Sequence, residues 1–168
     1  MSEAKAVPRF PAQASNIKKG SFCILKNRPC KVMEVKTSKT GKHGHAKANI
    51  TGVCVLTGQK CNEVHPASHN VTEFKLEKTE YMVMSAELVD AQASNSHYEI
   101  SVLDEDNNEV KFRNNLNSED CKGREAAEAV IANPDKSYLI TVVRAPVQIS
   151  DNDFVDEELI ESFKEARD

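Results

Sequence analysis

Eleven consecutive residues, Thr37-Ser38-Lys39-Thr40-Gly41-Lys42-His43-Gly44-His45-Ala46-Lys47, concentrate the groups in this chain that are able to do chemistry. They offer amines, imidazoles and hydroxyls, and no carboxylate. Several chemistries are open to such a set. His43 and His45 are metal-ligand types, but an HxH pair needs a third ligand nearby, and its cationic neighbours repel a metal. Lys42 as a Schiff-base amine would need burial to lower its pKa, whereas a polar segment keeps it wet and charged. A phosphate-cradling loop requires GxxxxGK[ST] opening a helix, and here histidine follows the lysine. A solvated charged face is the plainest reading of any charge run. The remaining reading is an exposed amine offered to a partner.

Two apolar runs must position these groups. Cys30 to Lys36 and Ala48 to Val55 read as strands, so the eleven residues join a hairpin. Hairpin connections usually take about two to five residues, so one this long and polar calls for a reason. Gly41 and Gly44 allow a sharp turn on either side of Lys42, which makes a narrow projecting tip. No acid occurs between Glu34 and Glu63, whereas Lys36, Lys39, Lys42, Lys47 and Lys60 all do. The spacing predicts a finger of unopposed positive charge with one lysine near its point.

TSKTGKHGHAK resembles, without a break, the hypusine loop of the eukaryotic translation initiation factor 5A family, whose bacterial relative is elongation factor P. Gly20, Arg28-Pro29-Cys30-Lys31, Thr57-Gly58 and Pro66-Ala67-Ser68-His69-Asn70 fit the same pattern. The resemblance implies an SH3-like first barrel and an oligonucleotide-binding (OB) second barrel. It also implies that Lys42 accepts the aminobutyl group of spermidine from deoxyhypusine synthase and is then hydroxylated by deoxyhypusine hydroxylase, giving hypusine with no other cofactor. The contact set it implies for ribosome and P-site tRNA is Lys36, Lys39, Gly41, Lys42, His43, Gly44, His45 and Lys47. The implied role is to promote peptide-bond formation at stalled sites such as consecutive prolines, and termination, without being an enzyme. Weak self-pairing is compatible with it. Two other function classes stay open at this point: an unmodified RNA-binding module, and a structural protein like a fungal assembly-forming relative that lacks the modifiable loop.

The net charge of −4 hides a division. Residues 1–75 hold 13 Lys+Arg against 4 Asp+Glu, a net +9, and residues 76–168 hold 9 against 22, a net −13. The simplest account is two units, one suited to a polyanion and one repelled by it. The junction is expected near Lys75, giving a first domain over 17–75 and an acidic second domain over 76–168. Met1 to Asn16, with Pro8 and Pro11, reads as a disordered tail. It has neither a signal peptide's apolar run nor a membrane span, so a cytoplasmic protein is expected. The five cysteines, Cys23, Cys30, Cys54, Cys61 and Cys121, form no CxxC pair, and neither a disulfide framework nor a metal site is indicated.

Along the chain, Ser21 to Leu25 and Cys61 to Val64 read as further short strands of a small barrel, and His65 to Asn70 as a loop. Tyr81 to Val89, Tyr98 to Leu103 and Glu109 to Arg113 read as a three-stranded meander. Asp120 to Asn133 reads as a helix stopped by Pro134, and Ser137 to Val143 as a strand that Val147 to Ile149 supplements. Three strands, a helix and a strand is the connectivity of an OB barrel. Val155, Leu159 and Phe163 share one helical stripe, so a final helix over 154–166, capped by Asp153, is expected. The fold class expected is mainly β: two small barrels, one internal helix and this C-terminal helix. The second half's negative charge and few aromatics oppose autonomous single-strand binding there.

Overall fold

The computed structural model describes residues 6–38, 46–90, 97–114 and 122–166. It divides into two compact units: Met1–Glu77 with Arg144–Glu158, and Lys78–Val143 with Leu159–Asp168. The fold is mainly β, as expected. In the first unit the strands are β1 (Arg9–Gln13), β2 (Phe22–Leu25), β3 (Arg28–Ser38), β4 (Lys47–Cys54), β5 (Lys60–Pro66) and β6 (Asn70–Phe74). They pair in the order β1-β6-β2-β3-β4-β5, the SH3-like barrel.

Strand β4 shows why this sequence folds so. Ala48, Ile50, Gly52 and Cys54 are buried, while Lys47 and Asn49 are exposed and Thr51 and Val53 half-exposed. That period of two gives the strand one core face and one outward face. The core face meets Cys23, Leu25, Cys30, Val32, Cys61 and Val71. Strand β2 is instead apolar throughout because both of its faces are covered. Its Ile24 joins Val7, Phe74 and Ala145 in a second cluster, with Phe22 and Phe154 packed against it. Lys26 (φ 51°) and Asn27 (φ 66°) make the two-residue turn from β2 to β3, whose left-handed backbone matches the strand twist.

The second sheet holds β7 (Glu77–Val89), β8 (His97–Leu103), β9 (Glu109–Asn114), β10 (Tyr138–Ser150) and β11 (Asp153–Glu165), with helix α1 (Lys122–Ala132) between β9 and β10. The strand order is β11-β10-β7-β8-β9. Ile100, Val102, Phe112, Ile140 and Ile160 pack with Ala126 and Ala127 of α1 to form the core of the second unit. Small residues on that helix face let it lie close to the sheet. Asn133 ends the helix, its amide side chain donating to the Ala129 carbonyl at 3.0 Å.

Four expectations are corrected. The tail over 1–16 is not wholly disordered: Arg9–Gln13 is β1, paired antiparallel to β6, and Ala14–Asn16 is a 3-10 turn. Pro11 is tolerated because β1 is an edge strand, where one missing donor costs no ladder bond. The loop over 65–70 is shorter than expected, since β5 runs on to Pro66 and β6 begins at Asn70.

The C-terminal helix is a strand. The i, i+4 spacing of Val155, Leu159 and Phe163 fits a helix, but β10 presents thirteen residues of unpaired backbone at a sheet edge. β11 satisfies that edge. Asp153 closes the connecting turn rather than capping a helix, accepting from the Ser150 hydroxyl at 2.7 Å. Residues 76–168 are therefore not one continuous domain, because the hairpin end Arg144–Glu158 belongs to the first unit.

Candidate functional site

The finger stem is built by β3 and β4, whose register runs from Cys30↔Cys54 out to Thr37↔Ala48 and Ser38↔Lys47. Of the eight expected contact residues, Lys36 and Lys47 are described, and both are exposed. Lys39, Gly41, Lys42, His43, Gly44 and His45 lie outside the described residues. The stem's end is anchored: Ala67 N–H donates to the Ala46 carbonyl at 2.8 Å, and Lys47 pairs with Pro66 of β5. The Pro66–Asn70 turn is tied in turn to the 3-10 segment, since Ala14 N–H donates to the His69 carbonyl at 2.8 Å.

A β-bulge between Val32 and Glu34 breaks the alternation of β3. One extra residue flips the parity, so Val32 is buried while Lys31 and Lys36 both fall on the outward face. Across β3, β4 and β5 the register then sets outward side chains in rows. Lys36, Asn49 and Val64 form one row, and Glu34, Thr51 and Asn62 the next. The Asn62 amide donates to Thr51 Oγ1 at 2.9 Å and to the Ile50 carbonyl at 3.2 Å, holding this middle row flat.

The charge at the stem is less one-sided than its sequence. Glu34 Oε1 lies 3.6 Å from Lys36 Nζ on the same face, a solvated pair of small energetic weight. Glu63 of β5 accepts from the backbone N–H of Lys26 and pairs with His65 Nε2. Neither carboxylate's position was visible from charge counting, and the bulge in β3 hides that of Glu34 from a period-two reading as well.

No group of three or more His, Cys, Asp or Glu among the described residues is arranged to hold a metal. The described thiols are core residues. Burial, then the charges of Glu73 and Glu63, push Cys23 up to about 12, and burial with a hydrogen bond to Cys61 pushes Cys30 up as well. Such thiols stay protonated at neutral pH and are poor nucleophiles. No helix among the described residues is long and apolar enough to cross a membrane.

An SH3-like barrel carrying a long lysine-bearing hairpin, followed by an OB-type unit, defines a class of two-barrel β protein. A family model described as the N-terminal domain of translation initiation factor 5A-like proteins matches residues 8–69. Eukaryotic translation initiation factor 5A-1 of Solanum lycopersicum is 45% identical over 83 residues, 49% of this chain and 52% of that protein. The factor 5A of Dictyostelium discoideum is 45% identical over 78 residues, covering 46% and 49%. The match thus spans about half the length of these curated relatives. A solved structure of a translation initiation factor 5A family protein from Naegleria fowleri has a TM-score of 0.63 and 34% identity, covering 90% of this chain and 99% of that one. A Methanococcus jannaschii factor 5A structure shares the fold at TM-score 0.52 and 15% identity. The chain belongs to the translation initiation factor 5A family.

Proposed function

We propose that this protein is a cytoplasmic translation factor that binds the ribosome beside P-site tRNA and acts through a hypusine built on Lys42. The observation carrying the reading is the unbroken motif Thr37–Lys47, joined to a stem whose register runs out to Ser38↔Lys47. Four glycine and histidine residues around Lys42 are small or planar, which suits insertion of that amine into a modifying enzyme's pocket. The flanking lysines suit an acidic entrance to it.

Aminobutyl transfer from spermidine, followed by hydroxylation, gives a side chain about twice as long as lysine with a second cationic amine. A thin, doubly charged rod reaches phosphates and sugar hydroxyls in a crevice that lysine does not fill. The factor then orders the acceptor end of peptidyl-tRNA while the ribosome performs the bond-forming step, a contribution of positioning and electrostatics. Lys36 and Lys47 at the stem add phosphate contacts.

Intact mass of the protein isolated from eukaryotic cells tests the modification. A hydroxylated aminobutyl addition mapped to Lys42 is expected, and its absence counts against the reading. Lys42→Arg keeps the charge and removes the acceptor amine, so it is expected to abolish stimulation of a consecutive-proline reporter. Full activity of that variant would leave the unmodified RNA-binding alternative standing.

A further inference from the structure

Beyond the finger, the row that follows Glu34, Thr51 and Asn62 on the outward face is Lys31, Val53 and Lys60, set side by side by the pairings Lys31↔Val53 and Val53↔Lys60. Both lysines are exposed and neither makes an ion pair among the described residues. Adjacent strands lie about 4.8 Å apart, so the two lysine backbones stand roughly 10 Å apart across β4. Lys47, at the finger end, is six residues along β4, or about 20 Å away. Cations therefore mark both ends of a face whose middle is neutral and hydrogen-bonding.

We infer that this face of β3, β4 and β5 is a second RNA-backbone contact, in which Lys31 and Lys60 grip phosphates some 20 Å from those held at the finger. The composition favours nucleic acid over protein. Protein interfaces have an aromatic or apolar centre and are depleted in lysine, whereas here the apolar side chains are Val53, Val64 and Met33 at the bulge, with no aromatic, and the rest are lysines, Asn49, Thr51 and Asn62 with one acid, Glu34. Phosphates are contacted by just such lysines and polar side chains. The adjoining part of the sheet is closed to ligands: Phe22, the register partner of Lys31, packs with Phe74 and Ala145 in the second cluster. The bulge in β3 is the device that brings Lys36 onto the same outward face as Lys31. The inference rests on the ribosomal reading above for its biological partner, but the contact itself is tested separately.

The test uses the full-length protein from eukaryotic cells and deacylated tRNA, titrated between about 50 and 200 mM salt. Each phosphate contact contributes about 0.7–0.9 to the slope of log K against log salt. The double variant Lys31→Gln/Lys60→Gln is expected to lower that slope by about 1.4–1.8 with an unchanged unfolding midpoint. Lys122→Gln/Lys136→Gln, the same charge change in the second unit, is expected to lower it by less than half as much. An unchanged slope in the first variant, or an equal loss in both, overturns the inference. Loss of binding to polyglutamate with the tRNA slope intact assigns the face to an acidic protein and overturns it too. Repeating the titration in Lys42→Arg separates the two readings: the row's share of the slope persists there whether or not Lys42 is modified.

Discussion

At the level of single residues, the barrel depends on one glycine that packing requires. A Cβ at Gly52 would stand 2.8 Å from the Lys31 carbonyl oxygen and 3.0 Å from Cys30 Cβ. Backbone cannot retreat as a flexible side chain does, so Gly52→Ala is expected to cost about 1–3 kcal/mol, read as a lower urea midpoint. The same tight interior shields the thiols. Cys23, Cys30, Cys54 and Cys61 are buried, so all four are expected to resist an aromatic disulfide reagent at pH 8 until the protein is unfolded. Rapid reaction of any of them in the native protein would contradict the core described here.

In the second unit, Glu99 is only 6% exposed. Burial pushes its pKa up, but a hydrogen bond from His97 and the charges of Arg113 and Lys111 outweigh burial and hold it below the usual 4.5. Its Oε1 lies 2.8 Å from Arg113 Nε, and Glu87 is its register partner on β7. A lowered folded pKa adds stability that is complete above the unfolded value and disappears as pH falls through the folded one. Glu99→Gln is therefore expected to be less stable than the parent at pH 7 and nearly equal to it once both are acidified well below 4.5. Denaturant midpoints across that range measure it.

Among the elements, the β10–β11 hairpin is the one whose loss reaches furthest. Its Asp156 accepts from the backbone N–H of Val7 at 2.9 Å and faces Arg144 Nη2 at 3.4 Å. Arg144 also approaches Glu77 at 3.6 Å and Glu158 at 3.8 Å. Val7 is 1% exposed, so its N–H has no water to turn to. Asp156→Ala leaves that donor buried and unpaired, an expected loss of about 1–3 kcal/mol. Faster hydrogen exchange at the Val7 amide, ahead of the β3–β4 amides, is the accompanying sign. The finger's stem behaves oppositely: its outward residues add little stability, as the solvated Lys36–Glu34 pair illustrates.

For the whole molecule, the charge division survives in altered form. Residues 144–158 bring one arginine and five acids into the first unit, which lowers its net charge from +8 over 1–77 to +4 and leaves the second unit at −8. The same hairpin end supplies Ala145 and Phe154 to the cluster around Val7, Ile24 and Phe74. A fragment of residues 1–77 lacks that cover. Burial of one phenylalanine is worth about 1.5–3 kcal/mol, so the fragment is expected to be destabilised by at least that amount and to bind a hydrophobic dye.

Most of what is local was legible in advance. The apolar alternation of β4 and β8, the stop at Asn133-Pro134 and the polar segment Thr37–Lys47 are each written in neighbouring residues, and periodicity reads neighbours well. Family kinship was legible for the same reason, since the wording of Thr37–Lys47 is read without any distant partner. What needed the tertiary structure was everything set by a distant partner. Arg9–Gln13 is a strand because β6 offers it an edge, and Asp153–Glu165 is a strand because β10 does. Lys36 shares the outward face of Lys31 because a bulge opposite β4 changes the parity of β3. Side-chain spacing within a segment names the conformations it tolerates, and the backbone hydrogen bonds offered from elsewhere in the chain select among them.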